Sequence, residues 1–135
     1  MPGNESIVRD VIVGSPLGSL LGVRLVSCEP DRVQVLLPFR REVTTIGDVV
    51  HGGAISGLVD TAATAAAWSG ADLAQEGRGT TIGFTVSFLA AARGQDLVAT
   101  GRVIQRGRTI CVCEVDVDGA DGTRVARALV TYKLG

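Results

Sequence analysis

The chain has 135 residues, a net charge of −1, and 46% apolar against 20% charged residues. That length can build one packed core without staples, and so balanced a charge gives no sign of the basic surface that nucleic acid needs. No apolar run approaches the ~20 residues that span a bilayer.

The polar first residues do not read as a signal peptide. Residues Glu5 to Val13 predict a short helix, stopped by Gly14-Ser15-Pro16. Leu20 to Cys28 reads as a strand, Glu29-Pro30-Asp31 as a turn and Arg32 to Pro38 as its hairpin partner. Arg40 to Val50 is a polar, irregular approach to a helix over 51–68, followed by a loose connection. The second half predicts a meander of four successive strands, Thr80 to Leu89, Leu97 to Ile104, Thr109 to Val117 and Thr123 to Leu134. In the first of them Ile82, Phe84, Val86 and Phe88 alternate with Thr81, Gly83, Thr85 and Ser87. Gln105-Arg106-Gly107-Arg108 reads as a tight turn. The expected class is α+β, with a sheet curled around one helix.

Cys28, Cys111 and Cys113 make an odd count without framework spacing. Cys111 and Cys113 fall on one face of a predicted strand, where a reduced thiol acts as a small hydrophobe. One histidine and no Cys-x-x-Cys pair argue against a structural zinc, and this cysteine usage points to the cytoplasm.

The stretch from His51 to Trp68 organises the rest. Ile55, Leu58, Val59, Ala62, Ala63 and Ala66 recur at the spacing of one buried helical face. Ser56, Gly57, Asp60 and Thr64 form a second row of small or polar side chains. Asp60 is the only charge between Asp48 and Asp72. Gly52 and Gly53, at the helix start, expose backbone N–H groups that lack intrahelical partners and carry the positive end of the dipole. Such an end suits a carbonyl oxygen that becomes an anion during acyl transfer. Gly52 and Asp60 are separated by ~12 Å along the helix at ~1.5 Å per residue. If both act on one carbonyl, they must come from two copies related by a two-fold axis.

His51-Gly52-Gly53, then Leu58 and Asp60, then Thr61-Ala62, resembles the hotdog-fold acyl-CoA thioesterases, in particular the phenylacetate-pathway (PaaI-like) branch. The resemblance runs from about Leu17 to Leu134 and implies a single hotdog domain, a curved antiparallel sheet wrapped around one long helix. It implies that Asp60 is the nucleophile or the general base that activates water. It also implies Gly52 as oxyanion donor, His51 as an orienting residue and Thr81 as a helper of the attacking water. Thr45, Gly53 and Thr64 are candidate substrate contacts, and Arg106, Arg108 and Lys133 are candidates for the coenzyme A phosphates. Relatives commonly have Asn and Gly where this chain has Thr45 and Asp48; Thr45 still offers one hydrogen bond but no amide NH2. That departure leaves a non-catalytic acyl-CoA-binding protein as the alternative to a hydrolase. The expected assembly is a homodimer or a dimer of dimers, with sites at the subunit interface and no metal or cofactor.

Overall fold

The computed structural model describes residues 4–73 and 78–135. The longest helix, α3 (Gly52–Ser69), is the centre of the fold. Leu58, Val59, Ala62, Ala63 and Ala66 are completely buried along it, on the face that the periodicity predicts. Six antiparallel strands wrap this helix: β1 (Arg24–Glu29), β2 (Arg32–Leu37), β3 (Gly79–Phe88), β4 (Leu97–Arg106), β5 (Ile110–Gly119) and β6 (Arg124–Leu134). All six touch α3, which gives the expected hotdog arrangement. The Ala- and Gly-rich composition of the contact is what allows it. At Gly101 of β4 an added Cβ would lie 2.5 Å from the carbonyl oxygen of Ala62.

The expected meander needs correcting. The strand order is β1-β2-β4-β5-β6-β3, so β4 pairs with β2, while β3 crosses to the far edge and pairs with β6. Period-2 alternation assigns the faces of a strand but not its neighbours. The connection over residues 89–96 is long enough to cross rather than turn back. This joins the N-terminal hairpin to the second half as one sheet and leaves β3 as an edge strand. β4 also runs on through Arg106, so the turn there is Gly107 to Thr109 rather than residues 105–108.

The N-terminal segment differs as well. A first helix, α1 (Asn4–Ile7), continues as a π-helical turn (Val8–Val13), and a second helix, α2 (Pro16–Leu21), occupies part of the expected first strand. The Ser15 side chain accepts the Gly18 N–H at 3.1 Å, Pro16 opens the helix and Gly22 ends it at φ 77°. The Ser-Pro pair that stops one helix therefore also starts another, and left-handed Gly22 closes it. Asn4 Nδ2 donates to the carbonyl oxygens of Trp68, Ser69 and Ala71 at 2.9, 3.2 and 2.8 Å, which ties this segment to the end of α3.

Cys111 and Cys113 are both buried on the helix-facing side of β5, with their sulfurs 4.0 Å apart. The neighbouring Cys111 thiol and burial push the Cys113 thiol well above its ordinary range, so it stays protonated.

Candidate active site

The start of α3 is built by His51. With extended backbone at φ −64° and ψ 135°, it caps the helix, and its Nδ1 accepts the Gly53 N–H at 2.7 Å. His51 therefore sets the helix entry, and Gly53 uses its N–H inside the cap rather than offering it to a ligand. The Gly52 N–H makes no hydrogen bond among the described residues. Gly52 opens onto a hollow of about 440 Å³ that also contains Thr45, Val49, Ile55 and Phe88. The Phe88 ring stands next to the glycine, where an added Cβ would lie 3.4 Å from Cζ. The Thr45 backbone is fixed by its N–H donating to the Val49 carbonyl at 2.8 Å. Asp48 turns towards Arg93, at 3.7 Å, and Gly94 donates its N–H to the Asp48 carbonyl at 2.9 Å.

Two turns further along α3, Asp60 is half-buried and its Oδ1 accepts the Thr81 Oγ1 hydroxyl at 2.7 Å. Strict alternation puts Thr81 on the opposite face of β3 from Phe84, Val86 and Phe88, and there the structure corrects it. Thr81 pairs with Tyr132 and Gly83 with Thr131, so Ile82 is the extra residue of a β-bulge. The bulge shifts the phase by one, which turns Thr81 onto the helix-facing side and leaves Ile82 57% exposed. Tyr132, opposite Thr81, accepts the Trp68 indole N–H on its hydroxyl at 2.8 Å. Burial raises the Tyr132 phenol above its usual range, and the charge of Asp60 raises it further. Neither Trp68 nor Tyr132 is among the site residues that the sequence points to.

Asp60 sits in a second hollow of about 200 Å³, lined by Val11, Ile12, Ser15, Leu17, Gly57, Thr61 and Thr64. Thr64 is thus beside the carboxylate, as its spacing one turn on predicts. The four N-terminal residues are not legible as site residues; the Ser15-Pro16 cap that positions them is the one available signal. The hollows of Gly52 and Asp60 are separate within one chain, in keeping with ~12 Å of helix between them.

Of the three basic candidates, Arg106 is held by the fold. Its Nη2 donates to Asp31 Oδ1 at 2.7 Å and to the Ala67 carbonyl at 2.9 Å, which places a cation against the C-terminal end of α3. Arg108 is exposed in the turn after β4, and Lys133 is exposed on β6 opposite Thr80 and Ile110. The Leu134 N–H donates to the Thr109 carbonyl at 2.8 Å, which brings that turn against the end of β6. Arg106→Ala is expected to lower stability by about 1 kcal/mol, discounted for an Asp31 that is nearly half exposed. Arg108→Ala is expected to leave the thermal melt unchanged and to raise KM. Thermal melts beside initial-rate kinetics check both.

Residues 47–126 match the family described as the thioesterase superfamily. Acyl-coenzyme A thioesterase 13 of Homo sapiens is 28% identical over 115 residues, covering 84% of this chain and 80% of that one. The medium/long-chain acyl-CoA thioesterase YigI of Escherichia coli K12 is 26% identical over 135 residues, covering 89% and 86%. The crystal structure of a thioesterase family protein from Silicibacter pomeroyi superposes with a TM-score of 0.89 at 28% identity, covering 98% of each chain.

Proposed function

We propose that this chain, which belongs to the thioesterase superfamily and is a thioester hydrolase, cleaves an acyl-coenzyme A to the free acid and coenzyme A, with Asp60 as the reacting carboxylate. The observation that carries this reading is the Thr81–Asp60 hydrogen bond, which fixes a half-buried carboxylate in a hollow lined by aliphatic and hydroxyl side chains. In the first step Asp60 either attacks the thioester carbonyl carbon or takes a proton from the water that does. Negative charge then develops on the carbonyl oxygen, and a Gly52 N–H at the positive end of a helix is suited to receive it. Collapse of the tetrahedral intermediate breaks the C–S bond. After attack by water, the leaving thiolate takes the proton held by Asp60 and the free acid remains. After direct attack, the thiolate is protonated from solvent, and a water then hydrolyses the Asp60–acyl anhydride to the free acid and restores the carboxylate. The step as proposed draws on no metal or cofactor. Arg108 and Lys133 are the side chains proposed to meet the coenzyme A phosphates.

The Gly52 that serves a given Asp60 belongs, in this reading, to a second copy of the chain. Support comes from the edges of the sheet. β3 leaves one backbone edge unpaired over Gly79–Phe88, and Ile82, Phe84 and Phe88 on it are 57%, 42% and 53% exposed. The opposite edge, β1, has only six residues and is broken by a bulge between Leu25 and Ser27, which blunts it. β3 has its own bulge at Ile82, but beyond it the strand runs on in regular register from Gly83 to Phe88. An exposed apolar edge of that length is a pairing surface, and β3 joining β3 about a two-fold axis would make one sheet from two.

Release of free thiol from a panel of aryl- and alkyl-coenzyme A esters tests the activity. Turnover of at least one ester is expected; binding without turnover across the panel would overturn the reading. Within the same assay Thr81→Ala is expected to lower kcat by about tenfold to a hundredfold, the range of a lost hydrogen bond to a charged group. Thr81→Ser, which keeps the hydroxyl, should retain most of the rate.

A further inference from the structure

The hollow around Asp60 is walled on one side by a segment that takes no part in the sheet. Val11 and Ile12 of the π-helical turn and Leu17 of α2 line it opposite Gly57, Asp60 and Thr64. Val11 and Leu17 are 59% and 57% exposed, so two large aliphatic side chains flank a carboxylate without being covered by the fold. Folding gains little from that placement, whereas an apolar ligand group seated beside Asp60 would bury both. The wall is also held in register. Val8 and Val13 are buried at 0% and 3% exposure. Gly18 packs so closely that an added Cβ would lie 2.1 Å from the Val13 carbonyl oxygen. At Gly57 of α3 an added Cβ would lie 3.1 Å from Leu21 Cδ1, so α2 sits directly on the helix that carries Asp60.

The space is small. One copy of the chain contributes about 200 Å³ to it, against about 150 Å³ for an apolar cavity that accepts benzene. Resting on the hydrolase reading above, we infer that Val11, Ile12 and Leu17 form the wall that measures the acyl group. It admits an aryl group or a straight chain of up to roughly seven carbons beyond the carbonyl, taking each as the ~30 Å³ that one water occupies in the liquid, and turns longer chains away. The N-terminal segment is then a specificity element rather than a packing appendage.

The test is kcat/KM for acetyl-, butanoyl-, octanoyl-, dodecanoyl- and benzoyl-coenzyme A with wild type, Leu17→Ala and Leu17→Trp. Leu17 is mostly exposed, so both variants are expected to fold. The ratio of octanoyl to acetyl kcat/KM should fall by about tenfold or more in Leu17→Trp, and the dodecanoyl to octanoyl ratio should rise severalfold in Leu17→Ala, the range of methylene-scale discrimination. Cleavage with the same length profile in all three proteins overturns the wall and leaves the hydrolase standing. Cleavage of no ester by wild type overturns the hydrolase, and the wall is then measured by calorimetry with S-octyl-coenzyme A. Binding to Leu17→Trp weakened about tenfold supports it; equal affinity, or no binding to wild type, overturns it.

Discussion

Asp60→Asn is expected to lower kcat/KM for the best thioester by about a thousandfold or more, with the thermal melt moved by only a few degrees. The amide has the shape of the carboxylate and can still accept the Thr81 hydroxyl on its oxygen. It can neither take a proton from water nor act as a nucleophile. A positioned general base contributes about 10²–10⁴ in rate, and loss of a nucleophile costs at least as much. Among the described residues the half-buried Asp60 side chain makes one hydrogen bond, so little of the fold depends on its charge. Thiol release and circular dichroism on the same samples separate the two effects. A rate within tenfold of wild type would move the chemistry to another residue.

Gly101→Ala is expected to have a large effect on stability, a loss of about 2–4 kcal/mol. The added methyl would sit 2.5 Å from the Ala62 carbonyl oxygen and 2.9 Å from its carbon. Both are backbone atoms in the middle of α3, so no side chain can swing aside. Either β4 or the helix must move, and both are central. With about 3–5 °C per kcal/mol for a domain of this size, the melt should fall by roughly 10 °C. A melt within about 2 °C of wild type would mean that the sheet relaxes away from the helix at small cost. Because Asp60 lies on the helix displaced by that methyl, a lowered kcat is also expected in the protein that remains folded.

The two residues differ in how legible they are. Asp60 stands out in the sequence because a lone carboxylate interrupts an apolar helix beside a His-Gly-Gly start. The buried face of α3 is equally readable, since 3.6-residue periodicity depends only on local spacing. The partner of Asp60 is readable only in part. Thr81 is named as a helper by resemblance, yet period-2 alternation puts it on the wrong face. The bulge at Ile82 that brings it round is one extra residue in the pairing, and nothing in Thr81-Ile82-Gly83 forces it. Strand order escapes for the same reason. Whether β3 pairs with β4 or crosses to β6 is decided by contacts far apart in the chain, while the alternation within β3 is compatible with both. At Arg106 the strand outlasts the turn expected from Gln-Arg-Gly-Arg, because Asp31 and the Ala67 carbonyl give its guanidinium a partner inside the fold. The N-terminal wall of the Asp60 hollow is hard to see in the sequence because Ser15-Pro16 has the form of a stop signal, and a serine cap followed by proline is equally the start of a helix.

In the proposed dimer, each site is assembled from Asp60 of one copy and Gly52 of the other. Gly52→Pro removes the proposed oxyanion donor cleanly, since proline is well accepted at the first position of a helix. His51, before it, already has the extended backbone that a following proline requires. Asp60→Asn and Gly52→Pro should each be nearly inactive alone. After the two are mixed, unfolded and refolded together, half of the dimers carry one chain of each kind. If the site is shared, one of the two sites in every such dimer has both native residues, and the mixture should recover about a quarter of wild-type activity. Recovery near that level is the predicted result. A mixture no more active than its parents, with hybrid dimers shown to be present, would place Asp60 and its oxyanion donor in the same chain and rule out a shared site.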